Sequence, residues 1–100
     1  MANLFATTVA TAKPRERDYK LSDGGGLYLL VRPNGTKLWR LNYRYLEKHR
    51  TLAFGAWPEV TLADARERRE EARRLLAAGT DPSHQQKVDA ARARLEENDT

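Results

Sequence analysis

Between Lys37 and Leu46 the chain reads KLWRLNYRYL. Successive side chains of a strand point to opposite faces, so Trp39, Leu41, Tyr43 and Tyr45 share one side. Leu38, Arg40, Asn42, Arg44 and Leu46 share the other. The first side has to be buried. The second sets two arginines around an asparagine in a row, more than a strand needs merely to meet water. A sheet with one covered face and one polar face is the frame into which the rest of the sequence has to fit.

Its neighbours supply that sheet. Leu27, Leu29 and Val31 alternate with Tyr28, Leu30 and Arg32, which reads as a strand over 27–32. Pro33 cannot continue a central ladder and Asn34-Gly35 readily takes positive φ, so the chain turns there. Glu47-Lys48-His49 is a polar turn, after which Arg50–Gly55 returns with Leu52 and Phe54 on one face. Thr61 is an N-cap with Asp64 placed for a capping box, and LADARERREEARRLLAA is dense in helix formers. Asp64 to Arg68 and Glu70 to Arg74 are i,i+4 pairs in the favourable order. Gly79 stops the helix, and Asp81-Pro82 marks its end. These elements predict an α+β fold: a three-stranded antiparallel β-sheet packed against one C-terminal α-helix.

Residues 1–12, rich in Ala and Thr, read as a loose N-terminal arm; 13–82 form the domain; 83–100 read as a linker. Within 13–26, Asp23-Gly24-Gly25-Gly26 is a strong break in the chain. One hundred residues suffice for a single small domain with a modest core. The absence of cysteine excludes a disulfide scaffold and a thiolate metal site, and agrees with a reducing cytoplasm. No apolar run approaches the roughly 20 residues that span a bilayer, and the N-terminus is a poor signal peptide. No membrane partner is expected.

The formal charge is +4, and its distribution says more than its size. Between Leu27 and Phe54 there are six Lys/Arg against the single acid Glu47; between Thr61 and Ala78 there are five arginines against four acids. The positive field is concentrated on the sheet segment, as a polyanion site requires. Gly24-Gly25-Gly26 lacks the Gly-Lys-Ser/Thr of a phosphate loop and reads as a turn. His49 and His84 have no ligand spacing. The sequence shows no catalytic signature and calls for no cofactor. The candidate site is the polar sheet face with its flanking turns: Tyr28, Arg32, Lys37, Arg40, Asn42, Arg44, Lys48, His49, Arg50 and Thr51. A two- or three-stranded sheet can enter the DNA major groove, where Arg reads guanine and Asn reads adenine, while basic turns reach phosphates. An RNA-binding module and a protein-interaction domain are the alternatives.

The stretches LSDGGGLYL, KLWR, FGAWPEVTLADAR and GTDP closely resemble the N-terminal arm-type DNA-binding domain of phage and genomic-island integrases, site-specific recombinases of the tyrosine class. The resemblance covers about residues 13–85. It implies a three-stranded sheet on one helix, similar to plant ethylene-response-factor domains, inserted in the major groove of arm sites that flank a recombination core. It implies too that cutting belongs to a catalytic domain outside this chain, since Tyr19, Tyr28, Tyr43 and Tyr45 all lie in or beside the sheet. The chain then reads as a bacterial, cytoplasmic, nucleoid-associated fragment. It would bind double-stranded DNA and meet other integrase subunits through domains it lacks.

Overall fold

The computed structural model describes residues 4–84. Along it run α1 (Ala6–Thr11), β1 (Tyr19–Gly24), β2 (Leu27–Val31), β3 (Lys37–Tyr45), β4 (Lys48–Trp57) and α2 (Leu62–Ala77). The strands pair antiparallel in the order β1-β2-β3-β4. The fold is α+β as the sequence predicts, but the sheet has four strands, not three. The extra one is β1, which lies in a stretch that reads as charge and turn residues. Tyr19 and Leu21 point inward there and Lys20 and Ser22 outward, so a period of two is present. The next inward position is an aspartate, and that breaks the apolar pattern.

A second correction concerns the N-terminus. Residues 4–12 do not form a loose arm: α1 is a helix, Val9 is fully buried and Leu4 nearly so. Lys37 donates from Nζ to the carbonyls of Val9 (2.7 Å) and Ala10 (3.2 Å), satisfying acceptors at the C-terminal end of α1, where a cation is favoured. The same ammonium lies 4.6 Å from the Trp57 ring centroid.

The core lies between the inward face of the sheet and the two helices. Leu27, Leu29, Val31, Trp39, Leu41, Leu52 and Phe54 meet Val9 from α1 and Leu62, Ala65 and Ala72 from α2. The alanines let the helix approach the sheet closely. Trp39 is wholly buried, and its indole N–H donates to the Val60 carbonyl at 2.7 Å, which removes the cost of burying that polar atom. In β4 a bulge leaves Phe54 as the one extra residue between the pairs Arg40↔Ala53 and Trp39↔Gly55. The strand thereby keeps its pairing with β3 as far as Trp57, two residues beyond the Gly55 end read from sequence.

Helix α2 begins and ends where its residues dictate. Thr61 Oγ1 accepts from Asp64 N–H and Asp64 Oδ2 accepts from Thr61 N–H, both at 3.2 Å, completing the capping box. Gly79, at φ +82°, donates to Leu76 O, and Thr80 donates to Leu75 O, a Schellman closure. The side-chain pairs differ from the i,i+4 expectation. Arg68 donates to the Phe54 carbonyl, while Arg73–Glu70 and Arg74–Glu71 pair at i,i+3. Asp81 and Pro82 lie beyond that closure and open the next turn, with Asp81 Oδ1 accepting from Ser83 N–H. From residue 85 onward, the expected linker lies outside the described residues.

The β1–β2 turn demands glycine. Gly25 and Gly26 both take positive φ, at +62° and +87°. A Cβ on Gly26 would stand 2.2 Å from the Asn42 carbonyl oxygen, because Asn42 N–H donates to Gly26 O across this contact. Gly26→Ala is therefore expected to destabilise the domain by more than about 2 kcal/mol, combining unfavourable φ with a backbone clash. Chemical denaturation checks this, and a variant as stable as the parent would contradict it.

Candidate nucleic-acid interface

The outward face is built by register. A two-residue turn at Leu46-Glu47, both at positive φ (+50° and +65°), closes the β3–β4 hairpin. Lys48 and His49 therefore belong to β4 rather than to a three-residue turn. The resulting pairs are Arg44↔His49, Asn42↔Thr51 and Arg40↔Ala53 on the outward side, with Tyr43↔Arg50 and Tyr45↔Lys48 on the inward side. On the other flank of β3, Tyr28 is the partner of Arg40.

Five of the ten candidates thus share one surface: Arg40, Asn42, Arg44, His49 and Thr51. Thr51 Oγ1 donates to Asn42 Oδ1 at 2.9 Å, which fixes the amide and leaves its NH2 to donate elsewhere. Tyr28 is on this face too but is only 7% exposed, so it is a packed ring and not an accessible contact. Arg32 follows the end of β2 and is half-exposed, 3.5 Å from Asp18. Lys48 is exposed at the hairpin end, starting from the inward side.

Two candidates leave the set. Lys37 is buried with its ammonium committed to α1, because its position in β3 is an inward one. Arg50 is also inward, with Nη1 3.6 Å from Asp81 Oδ2. Lys20 and Ser22 join the face through β1, which the sequence reading missed. The signal was the Tyr19/Leu21 against Lys20/Ser22 alternation just before the glycines.

The electrostatics of the two faces differ. No Asp or Glu occupies an outward position of the four strands. Among the described residues the guanidinium groups of Arg40 and Arg44 have neither an ion-pair nor a hydrogen-bond partner. Helix arginines, by contrast, are consumed. Arg66 donates from Nε and Nη2 to both oxygens of Asp23, each at 2.9 Å, and Arg69 reaches Asp23 Oδ2 at 3.1 Å. Leu4 N–H adds a 2.7 Å bond to the same carboxylate. Burial alone would push the Asp23 carboxyl up, but the Arg66 bonds, the Leu4 N–H and the charges of both arginines together hold it below 3.8.

Asp81 is held below its ordinary value chiefly by the hydrogen bond from the Tyr43 hydroxyl, 2.7 Å long. Burial first, and then Asp81, push the Tyr43 hydroxyl up. No described group of three or more His, Asp or Glu assembles as a metal site, and no described helix is long and apolar enough to cross a membrane.

The profile of the arm DNA-binding domain family matches residues 4–89. The chain belongs to that family. Among its relatives, an integrase of Enterobacteria phage P4 is 54% identical over 86 residues, 84% of this chain and 20% of the phage protein. Prophage integrase IntA of Escherichia coli K12 is 49% identical over 86 residues, again 84% of this chain and 21% of the relative. Prophage integrase IntZ of the same strain is 40% identical over 90 residues, covering 88% of this chain and 22% of the relative. The chain spans about a fifth of the length of these relatives. The arm-domain match begins at Leu4, so it takes in the α1 segment as well as the sheet and α2.

The depressed carboxylates fix the direction of the arm domain's pH response. A group whose folded pKa lies below its unfolded value contributes stability that is present above the unfolded pKa and lost as pH falls through the folded one. Asp23 and Asp81 therefore make the domain lose stability as pH falls below about 4. Tyr43, shifted upward, withdraws its contribution as pH rises above about 10. Thermal unfolding against pH should show a plateau between these limits. Asp23→Asn should lower the plateau and flatten its acid limb, and an unchanged acid limb would contradict the assignment.

Proposed function

We propose that this arm domain binds double-stranded DNA sequence-specifically at arm-type sites, with the outward face of β2–β4 in the major groove. The observation that carries the reading is the unpaired state of Arg40 and Arg44 on a face free of acids, while arginines on the helix side are tied to carboxylates or carbonyls. Unpaired guanidiniums spaced two residues apart on one strand suit bidentate contacts to guanine N7/O6, and Asn42 between them suits adenine. His49 and Thr51 flank this row from β4. Lys48 and Arg32, at the strand ends, are placed for phosphates and set the register.

Three strands on the groove with a helix behind them is the working arrangement of an ethylene-response-factor-like domain. Within a full-length recombinase of the tyrosine class the domain acts as a tether, holding the enzyme to arm sites beside the recombination core. By itself it binds and does not cut. Its remaining partners are other integrase subunits, met through domains outside this chain, on DNA in the bacterial cytoplasm and nucleoid. An RNA-binding role is less well supported, because single-strand recognition needs accessible aromatic rings and the outward Tyr28 is packed away.

Arg40→Ala and Arg44→Ala should each cost about 1–3 kcal/mol in binding and relax preference at one base pair. Lys48→Ala should weaken binding to every duplex alike. Fluorescence anisotropy with attachment-region duplexes, single-position variants of them and a scrambled control reads both effects. Neutral Arg40 and Arg44 variants would overturn the face assignment.

A further inference from the structure

The fourth strand raises a problem of width. Neighbouring strands lie about 4.8 Å apart, so β1 sits about 10 Å from β3. The major groove is about 12 Å wide. With β3 on the groove axis, β2 and β4 fit inside it and β1 does not. The edge strand must lie over one phosphate wall.

We propose that β1 is a phosphate-backbone clamp, with Lys20 as its cation and the Ser22 hydroxyl as a second donor; this rests on the groove-facing reading of the sheet. Both residues are exposed and both point outward, since Lys20 pairs with Leu30 and Ser22 with Tyr28. The Lys20 ammonium does not trail away along the sheet edge, as a lysine serving only to discourage edge pairing could. It lies 4.9 Å from the centroid of the Tyr28 ring, whose partner on the next strand is Arg40. Lys20, Tyr28 and Arg40 therefore form one continuous path across the outward face, from a cation over the groove wall to a guanidinium in the groove.

The packed Tyr28 ring is the platform between them, and this gives that residue a role without direct contact. A phosphate oxygen drawing the ammonium off the ring would exchange a cation–π contact for a charge-assisted bond. Because phosphates carry no base information, Lys20 adds affinity and salt dependence without adding specificity.

Anisotropy titrations over a series of salt concentrations test this in K20Q, K20R and R40Q, on an attachment-region duplex of the parent element and a scrambled duplex. Thermal unfolding of each variant controls for the fold. K20Q is expected to weaken both duplexes by the same factor and to lower the slope of log affinity against log salt by about 0.9. K20R should restore the slope, and R40Q should lose preference between the duplexes. A wild-type slope in K20Q beside a weakened R40Q would overturn the clamp while leaving the groove reading intact. Unchanged binding in both would overturn the groove reading as well. A K20Q variant with altered base preference would make Lys20 a base reader and overturn the phosphate assignment.

Discussion

The Asp23 carboxylate ties the N-terminal segment, the edge strand β1 and helix α2 together at one point, beside the apolar core they share. It sits at an inward position of the edge strand β1 and is 2% exposed. Arg66 and Arg69 reach it from successive turns of α2, and the N-terminal segment reaches it through the Leu4 N–H. Arg66 also donates to the Leu4 carbonyl and Arg69 to the Gly24 carbonyl, so the same two side chains fix both flanks of the carboxylate. A carboxylate removed from water is costly unless paired and hydrogen-bonded, and here each oxygen has at least two donors. Removing one arginine would leave the buried carboxylate with only part of its compensation, which is destabilising. The N-terminus, the fourth strand and the helix are therefore placed by one electrostatic knot.

From that knot follows the division of labour between the two faces of the sheet. Arg66, Arg68 and Arg69 of α2 are engaged on the inward side, and the inward positions of β3 hold further structural contacts. Lys37 secures α1 and Trp39 fills the core, while Tyr43 and Tyr45 donate to Asp81 and the Gly79 carbonyl where the chain leaves α2. On the alternate positions Asn42 is held by Thr51 and Arg40 and Arg44 carry no anchoring contact, which is the basis for proposing this row as the DNA-binding one. One strand thus carries both the fold and the proposed binding face, and a register slip of one residue would destroy both together.

How much of this was legible in the sequence depended on how local each cause is. The β2–β4 meander, the capping box at Thr61 and the glycine stop at Gly79 are encoded by neighbours within a few residues, and the structure holds all three. The outward row of Arg40, Asn42 and Arg44 followed from the period of two. β1 was hidden because Asp23 reads as a turn residue until α2 supplies two arginines more than forty positions later. α1 was hidden because six Ala/Thr-rich residues make no stable helix alone, and its packing and its Lys37 cap come from distant parts of the chain. Lys37 and Arg50 were misplaced for the same kind of reason. Their charge suggested a surface role, whereas strand register turned both inward, to backbone carbonyls in one case and to Asp81 in the other.

The central claim is that the outward face of the sheet, not the charged helix, meets DNA. An NMR titration of the isotope-labelled arm domain with an attachment-region duplex tests it residue by residue. The account predicts that the largest amide and side-chain shifts fall on Arg40, Asn42, Arg44, His49 and Thr51, with the solvent side of α2 at Glu67, Glu71 and Arg74 left unmoved. Shifts centred on α2, with the β3 and β4 residues unchanged, would contradict it.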